Sequence, residues 1–256
     1  MQEFTADVPT PDGTMSTFIA APDTGGRYPP VILFMDIWGI REELRDIARR
    51  VATAGYCCLL PDLYYRQGRV STGFTDENGR MISLHRLDED RVREVQRPRG
   101  KVDSAMLMRD TGALLVHIDT LDAAKPGPVG SIGWCMGGWL VAHAAGRFPD
   151  RMQAGASLHG TRLISDAPDS PHLLADRFQG EFYCGFGERD HFSPPELIAE
   201  WNALMEKSPA AYGYVVHAGA EHGYALPDRD IHDATAAARD WERMLAMFRR
   251  RLGGGG

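Results

Sequence analysis

Two short apolar runs, Val31-Ile32-Leu33-Phe34-Met35 and Tyr56-Cys57-Cys58-Leu59-Leu60, flank a charged segment whose apolar residues recur at helical spacing. Unbroken apolar runs of this length read as strands covered on both faces, because a strand with one wet face would alternate. Between them, Leu44, Ile47, Ala48 and Val51 share one face of a helix predicted over 41–54, and Gly55 ends it. Strand, helix and strand in such close succession form the unit of a parallel sheet, since parallel neighbours need a crossover between them.

The alternation continues along the chain. A hairpin over 3–8 and 15–20 turns at Pro11-Asp12-Gly13. Helices are predicted over 102–121, 136–147, 195–207 and 231–252, and strands over 128–133, 154–158, 181–186 and 212–217. The fold class is therefore α/β: a mostly parallel central sheet with an N-terminal antiparallel hairpin and helices on both faces. Residues 66–101 break the pattern. They are polar and charged, with a helix around 88–95, and read as an insertion in a single domain spanning 1–252. Gly253 to Gly256 reads as a flexible tail.

Composition narrows the function classes. Hydrophobic residues make up 43% of the 256, enough for a sizeable core, and the formal net charge is -7. An acidic balance offers no general attraction for nucleic acid or an anionic membrane, so neither is expected as a partner. The basic run Arg249-Arg250-Arg251 falls at the end of a predicted helix, where cations complement the dipole. No apolar stretch reaches the roughly eighteen residues that a spanning helix needs. The acidic start lacks the basic and apolar pattern of a signal peptide. Four cysteines, two of them adjacent, suggest neither a disulfide framework nor a zinc site, and a reducing cytoplasm is the expected location. With no His-Glu-x-x-His or similar cluster, no metal or cofactor is expected.

The chemistry concentrates at Gly133-Trp134-Cys135-Met136-Gly137-Gly138, between a predicted strand and a predicted helix. This matches the nucleophile elbow of α/β-hydrolases with cysteine in place of serine. The chain must turn sharply there, and glycines two positions to either side remove side chains that would collide. A helix N-terminus beside the sulfur favours its thiolate, and the Met136 N–H is placed to donate to an oxyanion. Cys57, Cys58 and Cys184 lie inside apolar strands and read as small hydrophobes. Gly155-Ala156-Ser157-Leu158-His159-Gly160 is a near-match with serine, but His159 stands where the second glycine belongs.

In this fold the nucleophile is followed along the chain by an acid and then a histidine. Asp190 lies just beyond the predicted strand 181–186, with Glu188 as the alternative acid, and His222 lies beyond the last predicted strand. Strand ends of this kind are where sites gather in open α/β sheets. His222 would then act as base toward Cys135, with Asp190 fixing its tautomer.

With these residues in view, the chain resembles the dienelactone hydrolase (carboxymethylenebutenolidase) family over most of its length. The resemblance rests on Met35-Asp36-Ile37-Trp38-Gly39, Pro61-Asp62-Leu63-Tyr64, the elbow, the 187–194 acid loop and Gly219-Ala220-Glu221-His222-Gly223-Tyr224, in that order. It implies Cys135 as nucleophile, Asp190 as acid, His222 as base, and the N–H groups of Ile37 and Met136 as oxyanion donors. Family members carry a thiol-contacting glutamate in the first loop; Asp36, one methylene shorter, occupies that place and would modulate the thiol. Trp38, Tyr64, Arg66, His159, His191 and Tyr224 are the candidates for the substrate pocket. Family enzymes acting on dienelactone also carry an arginine shortly after the histidine. Here Leu226 stands at that position, with Arg229 close by but out of register.

The reading is a cysteine-dependent hydrolase of small esters or lactones, working through a thioester, as a monomer or homodimer. The competing readings are a thiol-based redox sensor or ligand-binding protein on a hydrolase scaffold, and a broader carboxylesterase or thioesterase.

Overall fold

The computed structural model describes residues 1–68, 70 and 72–253; the predicted tail beyond Gly253 lies outside them. Eight strands form one sheet: β1 (Gln2–Thr10), β2 (Gly13–Ala21), β3 (Pro30–Phe34), β4 (Cys57–Pro61), β5 (Val129–Trp134), β6 (Met152–Leu158), β7 (Glu181–Gly187) and β8 (Ala211–His217). Their order is β1-β2-β4-β3-β5-β6-β7-β8. The β1/β2 and β2/β4 pairs are antiparallel and the rest are parallel. The helices are α1 (Glu42–Thr53), α2 (Glu89–Arg99), α3 (Ser104–Thr120), α4 (Met136–Arg147), α5 (Pro195–Met205) and α6 (Ala234–Leu252). This is the α/β-hydrolase architecture implied by the alternation of elements.

Strands β3, β4 and β5 are buried along their whole length, as unbroken apolar runs require. Two glycines of β5 show what covers each face. A Cβ on Gly130 would press against Leu252 and Phe248 of α6, whereas one on Gly133 would strike Gly137 of α4. Residues three apart on a strand point to opposite faces, so α4 and α6 pack on opposite sides of the sheet.

Register brings the strand ends into line. Phe34 pairs with Gly133, Trp134 with Leu158, Leu158 with Gly185, and Gly187 with His217. The segments that follow β3, β5, β6, β7 and β8 therefore emerge along one edge of the sheet. They carry Asp36 to Trp38, Cys135, His159, Asp190 and His222 respectively.

Three elements differ from the sequence reading. Helix α2 runs on to Arg99, with Pro98 in its last turn. Helix α6 begins at Ala234, because the Asp233 side chain accepts from the Thr235 and Ala236 N–H groups and caps it there. A 3-10 helix at Pro171–Arg177, whose apolar spacing is too short to read as a helix, packs against α4. The insertion is also less solvated than its polarity suggests: Met81 and Val95 are buried against Trp38. It is tied to the segment after β8 by Met81 N–H to Asp228 at 2.7 Å, Asp230 N–H to Met81 at 3.0 Å, and Arg86 to both Asp230 and Glu221. Among the described residues, no helix is long and apolar enough to cross a membrane.

Candidate active site

Between the last residue of β5 and the first of α4, Cys135 takes φ 56° and ψ -115°. Few side-chain-bearing residues adopt this conformation unless their surroundings hold them there. Here the Cys135 N–H donates to Leu158 at 3.1 Å, and its carbonyl accepts from Gly138 and Thr161 at 3.1 and 3.2 Å. The tight approach also explains the glycines. A Cβ on Gly133 would lie 2.3 Å from the Gly137 carbonyl, and one on Gly137 would lie 2.3 Å from the Phe34 oxygen.

Cys135 is partly exposed at the floor of a cavity of about 370 Å³. Cys57, Cys58 and Cys184 are fully buried. Burial pushes Cys57 and Cys184 up to about 12 and Cys58 well above its ordinary value, which keeps them as thiols.

His222 stands beside the sulfur. Its Nδ1 lies 2.7 Å from Asp190 Oδ2, while Asp190 Oδ1 accepts from the Phe192 N–H at 2.8 Å. The His222 Nε2 is buried and, among the described residues, has no hydrogen-bond partner. Burial alone would favour neutral imidazole. The negative charges of Cys135 and Asp190 outweigh it and raise the His222 pKa to about 10. The arrangement therefore favours the protonated form of the His222 ring.

Ile37 and Met136 line the same cavity. Among the described residues, neither backbone N–H is spent on a protein acceptor. Tyr64 holds the two loops together from beneath: its Oη lies 3.2 Å from the Ile37 carbonyl and 3.5 Å from Met136 Sδ.

Asp36 lines the cavity, but both its oxygens are engaged by Arg41, at 2.8 and 2.9 Å, and one also accepts from the Trp38 N–H at 3.1 Å. Arg41 in turn donates to Asp228 at 2.5 Å. Burial opposes the Arg41 charge, yet the two carboxylates hold its pKa above the ordinary value.

Of the other pocket candidates, Trp38 and His159 line the cavity. The His159 ring lies edge-on to His222 with centroids 4.9 Å apart, and among the described residues neither of its buried nitrogens has a partner. Burial, then the charges of His222 and Arg229, hold its pKa well below normal, so it is a neutral imidazole.

Tyr64, Arg66, His191 and Tyr224 do not line the cavity, and each has a physical reason. Tyr64 is enclosed beneath the loops that it ties. Arg66 is drawn away by Asp110 and Asp12, at 2.7 and 2.6 Å. His191 packs behind the site against Phe192 and His85. Tyr224 points into the core and donates to Asp240 at 2.6 Å.

The sequence reading misses Trp139, Arg99 and Arg162 and leaves Arg229 out of register, yet all four line the cavity. Trp139 was legible, since it lies one helical turn beyond Cys135 on α4. Arg229 is 4% exposed and its guanidinium lies 5.0 Å from the centre of the Trp38 ring. Among the described residues its Nε has no acceptor.

Residues 15–252 match the model of the Dienelactone hydrolase family. A protein of Synechocystis sp. (strain ATCC 27184 / PCC 6803 / Kazusa), named "Putative carboxymethylenebutenolidase", is 29% identical over 96% of this chain and 95% of its own length. The fold is similar to that of the "Putative Dienelactone Hydrolase" from Klebsiella pneumoniae subsp. pneumoniae MGH 78578, with a TM-score of 0.81, 23% identity, and 96% and 98% of the two chains covered. A dienelactone hydrolase-like promiscuous phosphotriesterase from metagenomic libraries gives a TM-score of 0.74 at 21% identity, covering 99% of this chain and 100% of its own. At these identities the two solved structures speak to the fold alone. The family match spans nearly the whole chain, cavity included: the protein belongs to the dienelactone hydrolase family of ester and lactone hydrolases.

Proposed function

We propose that the protein hydrolyses small anionic esters or lactones through a thioester on Cys135. The observation that carries this reading is the alignment of Asp190, His222 and a strained, cavity-facing Cys135 at neighbouring strand ends. The thiolate attacks the substrate carbonyl, forming a C–S bond, and the oxyanion is held by the Ile37 and Met136 N–H groups. As the intermediate collapses, the alkoxide leaves with a proton from the His222 imidazolium. Water then attacks the thioester carbonyl, giving its proton to His222, and the C–S bond breaks to release acid and thiolate. Asp190 fixes the imidazole tautomer and stabilises its cationic form. Asp36 acts on the thiol as a fixed negative charge, largely offset by Arg41.

The anionic preference rests on Arg229. Among the described residues it forms no ion pair, although it is buried and Asp36, Cys135 and Asp228 are the acids that act on its charge. An unpaired buried cation is costly, and a substrate carboxylate would pair with it. Leu226, at the position where the family places its arginine, lines the cavity as an apolar surface.

Incubation with a p-nitrophenyl ester followed by mass spectrometry tests the nucleophile. The expected result is an acyl adduct on Cys135 that is absent in Cys135→Ala. Acylation that persists unchanged in that variant overturns the assignment.

A further inference from the structure

Among the described residues, three non-glycine residues hold a positive φ: Cys135 at 56°, His159 at 38° and Arg162 at 53°. All three line the same cavity. Such strain collects where surrounding structure aims a side chain at a functional site. The hydrolysis argued above gives Arg162 nothing to do.

Arg99, at the end of α2, shares that wall. Its guanidinium lies 4.8 Å from the centre of the Trp139 ring and donates to the Val102 carbonyl at 2.8 Å. Neither Arg99 nor Arg162 forms an ion pair among the described residues. The two nearby carboxylates are already engaged: Asp169 accepts from the Ser104 hydroxyl, and Asp103 accepts from the Met106 N–H at 2.7 Å as it caps α3. Two guanidinium groups on one wall repel each other, and an anion between them turns that repulsion into two charge-assisted hydrogen-bond partners.

This wall is distinct from the one formed by Trp38 and Arg229. The Arg229 guanidinium stacks over the Trp38 ring, 5.0 Å from its centre, whereas that of Arg99 stacks over the Trp139 ring. Cys135, Met136 and His159 complete the lining that the two walls share.

We propose that Arg99 and Arg162 form a second anion subsite in the cavity, separate from Arg229, and that the substrate is a small ester or lactone carrying two anionic groups. The reaction assigned to this substrate rests on the hydrolase reading above, whereas the binding preference does not.

Calorimetric titration at low ionic strength separates the two. The probes are the unbranched dicarboxylates from malonate to adipate, each paired with the monocarboxylate of equal length. The expected result is one dicarboxylate binding at least about tenfold more tightly than its partner. That ratio falls to near unity in Arg162→Ala and drops markedly in Arg99→Gln. Arg162 is exposed, so its variant remains informative even where loss of the half-buried Arg99 disturbs folding. A wild-type protein that binds neither series, or binds both equally, overturns the subsite. So does a dicarboxylate advantage that survives Arg162→Ala. Because this readout needs no turnover, loss of Cys135 acylation and loss of the dicarboxylate preference are separate failures.

Discussion

Arg41 grips both oxygens of Asp36, at 2.8 and 2.9 Å, in a bidentate fork at the edge of the cavity that Asp36 lines. The same guanidinium reaches Asp228, which lies next to Arg229 in the chain, so one residue braces the first loop against the segment after the histidine. Replacing Arg41 by Met leaves Asp36, at 1% exposure, as an uncompensated buried charge. The expected loss is about 3 kcal/mol in urea unfolding, with a smaller loss for Arg41→Lys, which keeps the charge without the fork. Equal stability of Arg41→Met and wild type contradicts this account.

The raised pKa of His222 predicts a definite pH dependence. A histidine whose folded pKa is raised contributes stability that is complete below its unfolded value and fades as pH climbs through the folded one. For His222 that window runs from 6.5 to about 10. Cys135 supplies the largest of the charges that raise it. In Cys135→Ala the ring therefore titrates at lower pH, by NMR of labelled histidine. The stability gap between wild type and that variant should narrow as pH rises across the window. A gap that widens, or an unchanged His222 titration, removes the Cys135–His222 interaction from the account.

Tyr224 illustrates a side chain that serves the fold behind the site. Asp240 is fully buried and accepts from Tyr183 and Tyr224 at 2.6 Å each and from His217 at 2.8 Å. Tyr224→Phe removes one hydrogen bond to a charged group and should lower stability by about 1.5–3 kcal/mol in chemical denaturation. A variant as stable as wild type means that the other two donors satisfy Asp240 without it.

The reading of Cys135, Asp190 and His222 as partners draws on patterns confined to short segments. A glycine-flanked cysteine after an apolar strand, an acid after the next-to-last strand and a histidine after the last are each visible within about a dozen residues. Parallel pairing then brings those strand ends to one edge whatever the side chains do elsewhere. The insertion was harder to read, because its buried apolar residues Met81 and Val95 find their partner in Trp38, far away along the chain.

By itself the sequence determined the alternation of elements, the parallel sheet and the turn at Cys135. Backbone sterics and the periods of strand and helix act locally, and they leave their mark on neighbouring residues. Only the tertiary structure decided which side chains wall the cavity. Arg66 and Arg229 are the same residue type, yet one is captured by Asp12 and Asp110 while the other stacks over Trp38 beside the histidine loop. Tyr224 turns inward because a carboxylate on α6 waits there. Such choices depend on which charges and rings meet across long separations in the chain, and no local spacing carries that information.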